Sequence, residues 1–440
     1  MFGIKAATGG LVKEDIIKKA GQLLTPALVF HTDIIVKKAL GLYVESTSGK
    51  RYMDFSSGLA TTNIGHCPPK VVLAAKKQLE EIIHSGCIFR YNSEIEFAEK
   101  LKNITPGSLN MFFFSNSGAE AVEGAIKLAR FVTKRQGIIA YTGAFHGRTM
   151  GAVSLTTSTA KYRRNYHPLL PSIFRAPYPY CYRCSLGQNP DTCGMDCFEY
   201  LKKMLRHEIN PDEVAAVIIE PVLGEGGYAV PPADYLKELR KLCTQHGILL
   251  IADEVQTGFG RTGTWFACEH FGIIPDIMTI AKGIASGFPL SAIVSTKKIM
   301  SKWPPGAHGT TFGGNPVSCA AGSATIETII SGRLLENAAI VGNHALKKLK
   351  DMQKKYPVMG DVRGLGLMIG IEFIKKDKSP DKEFLKRVLN KCYKKGLILI
   401  ECGIDKNIIR FMPPLITTVK EMDTALEIFE EAVAQSGSAS

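Results

Sequence analysis

Five short, unbroken apolar runs constrain this chain more than any other feature: GIIAYTGAFHG (137–147), EVAAVIIEPVLGEGG (213–227), GILLIADEV (247–255), PDIMTIA (275–281) and LSAIVST (290–296). A strand with one wet face alternates apolar and polar residues, whereas a strand covered on both faces is apolar throughout. Segments of helical periodicity lie between several of these runs, and the alternation starts near residue 70 with VVLAAKKQLEEII (71–83). MFFFSNSGAEAVEGAIKLARFV (111–132) reads as a strand, a tight glycine turn and a helix. Buried strands alternating with helices predict an α/β domain around a mainly parallel sheet.

The pattern changes after GTTFGGNPVSCAAGSATIETII (309–330). A charged helix (333–352), a strand-like GDVRGLGLMIGIEF (360–373), a helix at 381–395, two short strands (GLILIECG and NIIRFMPPL) and a last helix (420–434) read as a smaller α+β module. At 440 residues the chain is long for one core. We place an N-terminal segment at 1–60, a large domain at 61–331 and a small domain at 332–440, with the hairpin-like ALGLYVESTSGKRYMDFSSG packing on the last.

A net charge of +13 raises the question of nucleic acid or membrane partners. The basic residues are dispersed over helical faces such as KEFLKRVLNKCYKKG (382–396), with no basic block interleaved with aromatics, which argues against nucleic acid. No apolar stretch reaches the ~18 residues needed to span a bilayer. The first residues lack the basic-then-apolar pattern of a secretory signal, and the small, polar AQSGSAS end is expected to fray. Eleven scattered Cys fit reduced, cytoplasmic thiols. Four of them, Cys181, Cys184, Cys193 and Cys197, cluster in a Pro/Gly-rich insertion (179–201), where they read as free loop thiols, a disulfide or a metal set. The insertion is expected to decorate the protein rather than carry its chemistry, and no metal is assigned.

Charged residues at the ends of the apolar runs are costly to bury and answer to partners. Asp253 ends the run LLIAD (249–253), and Lys282 directly follows PDIMTIA (275–281). A partly desolvated lysine loses its proton readily and can form an imine with a carbonyl-bearing cofactor, while a nearby carboxylate can hold a protonated ring nitrogen. Taken singly, an Asp capping a turn and a surface Lys read equally well. SNSGAEA (115–121) offers helix-start amides, with Ser117 and Gly118, to a phosphate. Phe145, His146 and Arg148 in YTGAFHGRT supply a ring that can stack and a planar fork for a carboxylate. Glu220 and Glu225 lie in IIEPVLGEGG, and Arg410, flanked by apolar residues in NIIRFMPPL, needs an acid partner.

SGAEA, FHGRT, IIEPVLGEGG, IADEVQTGFGRTG, AKGIASGFP and GTTFGGNP stand in the order of the class III pyridoxal-phosphate aminotransferases, and the chain closely resembles that family from DFSSGLATTNIGH to RFMPPL. The resemblance implies the type I pyridoxal-phosphate transferase fold, with a mainly parallel seven-stranded sheet in the large domain and a smaller α+β domain. It also implies pyridoxal 5′-phosphate as cofactor and a homodimer with sites at the interface. By resemblance, Lys282 carries the cofactor as a Schiff base and then moves the proton, and Asp253 pairs with the ring nitrogen. Phe145 stacks on the ring beside His146, and Gln256 approaches the ring hydroxyl. Ser117, Gly118 and Ala119 hold the phosphate from one subunit, and Thr311 from the other.

The CYRC-type insertion resembles 4-aminobutyrate aminotransferases and a related branch of amino-acid racemases. Arg148 matches the residue that takes the 4-aminobutyrate carboxylate, Arg410 the one that takes the α-carboxylate of glutamate or 2-oxoglutarate, and Glu220 the acid that masks Arg410. Leu59 is expected to line the pocket. The racemase branch usually reads GDGG where this chain has GEGG, with Glu225, and that departure favours transamination. The expected reaction passes the amino group of a small-molecule donor, 4-aminobutyrate first, to the 2-oxo acid 2-oxoglutarate, giving glutamate and a semialdehyde. Racemisation or epimerisation is the alternative, with ornithine or another diamine a further donor. A regulator or scaffold that merely keeps the fold is disfavoured, because no catalytic position is lost and no DNA-binding module is appended.

Overall fold

The apolar runs become neighbouring strands of one seven-stranded sheet. A computed structural model describes residues 13–437. We label the strands β1 (Met111–Ser115), β2 (Gly137–Tyr141), β3 (Ile173–Ala176), β4 (Val214–Ile219), β5 (Leu249–Asp253), β6 (Ile277–Ile280) and β7 (Ser291–Ser295). Their order across the sheet is β1-β7-β6-β5-β4-β2-β3. Only β7 runs against its neighbours; the contacts from β6 through to β3 are parallel. Every residue of β2, β4, β6 and β7 is buried, as the unbroken apolar runs require. β3, the short edge strand IFRA, was not among the expected strands, because a four-residue run with an arginine carries no apolar signature.

Helix Gly118–Thr133 covers one face of the sheet with Ala121, Val122, Ala125, Leu128 and Ala129, all fully buried. It begins in a capping box: the Ser117 hydroxyl accepts the Glu120 amide and the Glu120 carboxylate accepts the Ser117 amide. The carboxyl ends of β1, β2, β4, β5 and β6 all open toward the same crevice, the usual place for ligands in an open α/β sheet.

The C-terminal segment forms a separate four-stranded antiparallel sheet from Met359–Leu365, Met368–Phe373, Ile408–Phe411 and Ile400–Cys402. GDVRGLGLMIGIEF, read as one strand-like run, is thus a hairpin. Gly366 turns it with φ +53, and the Thr262 backbone lies where a Cβ would stand, 2.4 Å away, so only glycine fits. N-terminal strands Val36–Leu40, Tyr43–Ser46 and Arg51–Asp54 form a third sheet that takes in Leu397–Ile398. The last helix, Val419–Gly437, runs further than the polar end suggested: Ser436 is buried and donates to the Ala432 carbonyl. The remainder of the expected frayed tail, and the first residues with their reading as signal-free, lie outside the described residues. Among those described, no helix is long and apolar enough to cross a membrane.

Cys181, Cys184, Cys193 and Cys197 line one small cavity of about 120 Å³. All four are free and partly buried, and among the described residues no group of His, Cys, Asp or Glu is arranged to hold a metal.

Candidate active site

The crevice at the strand ends is a cavity of about 370 Å³, lined by Ser117, Gly118, Ala119, Phe145, His146, Glu220, Glu225, Asp253, Gln256 and Lys282 among others. They come from the ends of five sheet strands or the turns that follow them: Ser117, Gly118 and Ala119 after β1, Phe145 and His146 after β2, Glu220 and Glu225 after β4, Asp253 at the end of β5 with Gln256 just beyond it, and Lys282 after β6. Sequence reading missed Asn116, Thr61, Val255 and Phe288, which also line it. None of them carries a charged or titratable group that would have marked it in the sequence.

Asp253, the last residue of β5, is 3% exposed and spends both oxygens inside the protein. Oδ2 lies 2.6 Å from Nδ1 of His146, and Oδ1 accepts the Thr279 hydroxyl and the Val255 amide, both at 3.1 Å. Thr279 is the single hydroxyl in the apolar run of β6, a signal that was present but unread. His146 is buried. Burial alone would lower its pKa, but the bond to Asp253 and the charge of that carboxylate outweigh it and raise it. The pair is therefore a carboxylate backed by a protonatable ring, suited to holding a cation that approaches Asp253 from the cavity.

Lys282 follows β6 with φ +48, a left-handed conformation that places the side chain in the cavity at a cost in backbone strain. Desolvation brings its pKa down to about 8, aided by the charge of Arg410 and opposed by Glu220, Asp253 and Glu225. A useful fraction of the amine is thus unprotonated near neutral pH.

At the start of helix Gly118–Thr133, the first-turn amides lack intrahelical partners and favour an anion. Gly118 packs so closely on Val255 that a Cβ would lie 2.8 Å from its Cγ1. Gln256 presents a buried Oε1 with no partner. These features fit pyridoxal phosphate: an acid for a ring nitrogen, a helix start for a phosphate, an orphaned amide oxygen for a hydroxyl, an amine for a carbonyl, and the half-buried Phe145 ring as a wall.

The substrate-side residues are placed less as expected. Glu220 does not meet Arg410. Burial pushes the Glu220 carboxyl up to about 7, its oxygens accepting the amides of Phe145 and Gly224, each at 2.8 Å. Arg410 instead bonds Glu225, Nη1 to Oε2 at 2.9 Å, with Nη2 donating to the Glu401 carbonyl at 2.9 Å. The physical reason is that backbone amides have already claimed Glu220, while Glu225 sits on the turn beyond it. Arg410 is 5% exposed and does not line the cavity, whereas Glu225 does. Glu225 therefore covers Arg410. Arg148 is exposed, its guanidinium 4.3 Å from the Tyr162 ring centre and 5.9 Å from that of Phe145. Leu59 lies outside the cavity wall, 50% exposed in a turn where Ser57, Gly58, Leu59 and Ala60 all have positive φ. Thr311 is exposed and takes no part in this chain's own cavity.

Comparison with known proteins agrees with this geometry. The family model described as aminotransferase class-III matches residues 26–433. An alanine/serine racemase of Pyrococcus horikoshii is 40% identical over 97% of this chain and 91% of its own length. A probable 4-aminobutyrate aminotransferase of Bacillus subtilis is 38% identical over 94% of this chain and 96% of its own. Among solved structures, an amine transaminase from an uncultivated Pseudomonas species in its PLP-bound form superposes with a TM-score of 0.87. It is 31% identical, covering 94% of this chain and 98% of that one. Strand order, site and full-length similarity lead to one assignment: the chain belongs to the class III aminotransferase family, with the type I fold and pyridoxal 5′-phosphate as its cofactor.

Proposed function

We propose that the protein transfers the amino group of an ω-amino acid, 4-aminobutyrate first among them, to 2-oxoglutarate. The observation that carries this reading is the covered arginine. A donor with a single carboxylate leaves the Arg410–Glu225 pair closed, so no unpaired buried charge faces its amine end. A dicarboxylic acceptor can displace Glu225 and use the planar fork of Arg410. One cavity thereby serves two substrates of different charge.

Asp253, with His146 behind it, holds the proton on the ring nitrogen of the bound cofactor. When bound, the cofactor would supply a conjugated ring able to take up the electron pair left when a proton leaves the substrate carbon. Lys282 Nζ removes that proton and returns it on the same face of the site, its lowered pKa matching the task. Gly118, Ala119 and Ser117 anchor the phosphate, Gln256 the ring hydroxyl, and Phe145 one ring face. Arg148, at the rim, receives the distal carboxylate of the donor. Leu59 and Thr311, outside this chain's cavity, serve a site shared between two copies. In support, Ile83, Ile88, Phe89 and Phe312 are 60–78% exposed, and Phe312 packs against His84, 5.0 Å between ring centres. So much apolar surface beside Thr311 fits a homodimer.

The racemase-like relative keeps a second reading alive. It needs Glu225 as an acid–base group opposite Lys282, yet Glu225 is engaged with Arg410. The test mixes the enzyme with 4-aminobutyrate and 2-oxoglutarate, and separately with single enantiomers of alanine, leucine and isoleucine without an oxo acid. Glutamate in the first mixture is the expected outcome. Racemised amino acid in the second, with no glutamate in the first, would reverse the assignment.

A further inference from the structure

The structure assigns to Arg363, a residue outside the cavity, the positioning of the Gly224–Gly227 turn, and through it the cover that Glu225 places over Arg410. This rests on the reading of Arg410 as the acceptor's arginine.

The turn is pinned at three points. The Gly224 amide donates to Glu220, the Glu225 carbonyl accepts the Gly403 amide at 2.9 Å, and the Gly227 carbonyl accepts both Nε and Nη2 of Arg363, at 3.1 and 2.6 Å. Gly227 has φ +130, and a Cβ there would meet Ile408 Cδ1 at 2.7 Å, so the turn lies hard against the C-terminal sheet. The anchor at Gly227 comes from a charged side chain that touches neither the cavity nor Glu225.

Arg363 is itself held on every side. Nη1 reaches Asp361 at 2.7 Å and Glu372 at 3.1 Å, and Nη2 also donates to the Tyr180 hydroxyl. Glu372, 1% exposed, takes Nε of Arg183 at 2.7 Å and the Tyr180 hydroxyl as well. Two arginines and two carboxylates thus close a neutral, mostly buried cluster. Tyr180 and Arg183 belong to the cysteine-rich insertion, so this insertion is more than decoration: it braces the residue that fixes the turn. A fork donating twice to one carbonyl cannot be replaced by a lysine, which offers a point charge.

The test compares wild-type holoenzyme with Arg363→Lys, Arg363→Gln, Glu225→Gln and the double variant Arg363→Gln/Glu225→Gln. The readouts are crystal structures, melting temperatures, and the donor and acceptor half-reactions followed separately by cofactor absorbance. In Arg363→Lys, which keeps the cluster neutral, we expect a near-wild-type melting temperature, a displaced Glu225, and a KM for 4-aminobutyrate raised about tenfold while kcat holds. Arg363→Gln should behave alike with lower stability, and should add nothing on the Glu225→Gln background. The assignment fails if Glu225 stays on Arg410 in both Arg363 variants, if both half-reactions slow in proportion to lost stability, or if the double variant shows the product of the single effects. If wild-type enzyme does not use 4-aminobutyrate, the substrate reading falls, and the crystal structures still decide whether Arg363 places Glu225.

Discussion

The two sides of the cavity are built differently. The cofactor side hangs on strand ends of one sheet: Asp253 on β5, Lys282 after β6, His146 after β2 and Gly118 after β1. The substrate side is assembled across the molecule, Glu225 meeting Arg410 over 185 residues of sequence and the turn between them leaning on Arg363. Strand ends in one sheet are fixed by the backbone ladder. A turn held by side-chain forks can be re-aimed by single substitutions. The cofactor side should therefore govern whether there is chemistry, and the substrate side which molecule enters it.

Replacing Lys282 with Ala is the severest challenge to that division. Turnover should fall by at least about 10³-fold, since the proton carrier is gone, and the visible band of the lysine-bound cofactor should vanish. Persistence of both would remove Lys282 from its role. Asp253→Asn comes next: the shape survives, but the charge that steadies His146 and the ring nitrogen is lost, for an expected fall of about 10²–10³-fold in kcat with both substrates alike. An effect confined to one substrate would break the comparison.

That division also explains what the sequence made legible. The buried strands, the strand-to-helix turn at Gly118 and the Asp253–Lys282 pair follow from local patterns, apolar runs ending in charges, that need no knowledge of distant residues. The edge strand β3 was invisible because its four residues, IFRA, include an arginine and make no apolar run. The partner of Arg410 was misjudged because two glutamates five residues apart in one turn look alike until backbone amides claim one of them. Arg363, in GDVRGLG, carries no local sign of the carbonyl it holds.

Glu225→Gln sharpens the comparison on the substrate side. Without the carboxylate, Arg410 keeps its charge and loses its cover. The KM for 4-aminobutyrate should rise about tenfold, while 2-oxoglutarate, which no longer has to displace a carboxylate, should bind as well or better. Steady-state kinetics varying each substrate in turn would show it. Equal losses for both substrates would mean that Glu225 belongs to the chemistry, as a racemase requires.

The last effect expected is on stability rather than turnover, and it concerns the glutamate that lies between the two sides. Burial raises the folded-state pKa of Glu220 to about 7, above the value near 4.5 of an unhindered glutamate. The folded protein therefore holds this proton over a range in which the unfolded chain has released it. By linkage, this group makes stability decline as pH rises from about 4.5 to about 7 and contributes no further slope above that. The whole decline amounts to no more than about 3 kcal/mol. Gln has no proton to lose, so Glu220→Gln should remove that part of the slope, whatever constant cost its amide pays beside the Phe145 and Gly224 amides. Denaturant unfolding of holoenzyme and variant at intervals from pH 4.5 to 8 measures the difference. Parallel curves would show that Glu220 is ionised throughout, with the two backbone amides outweighing its burial, and that the carboxylate between the two halves of the site is a fixed charge.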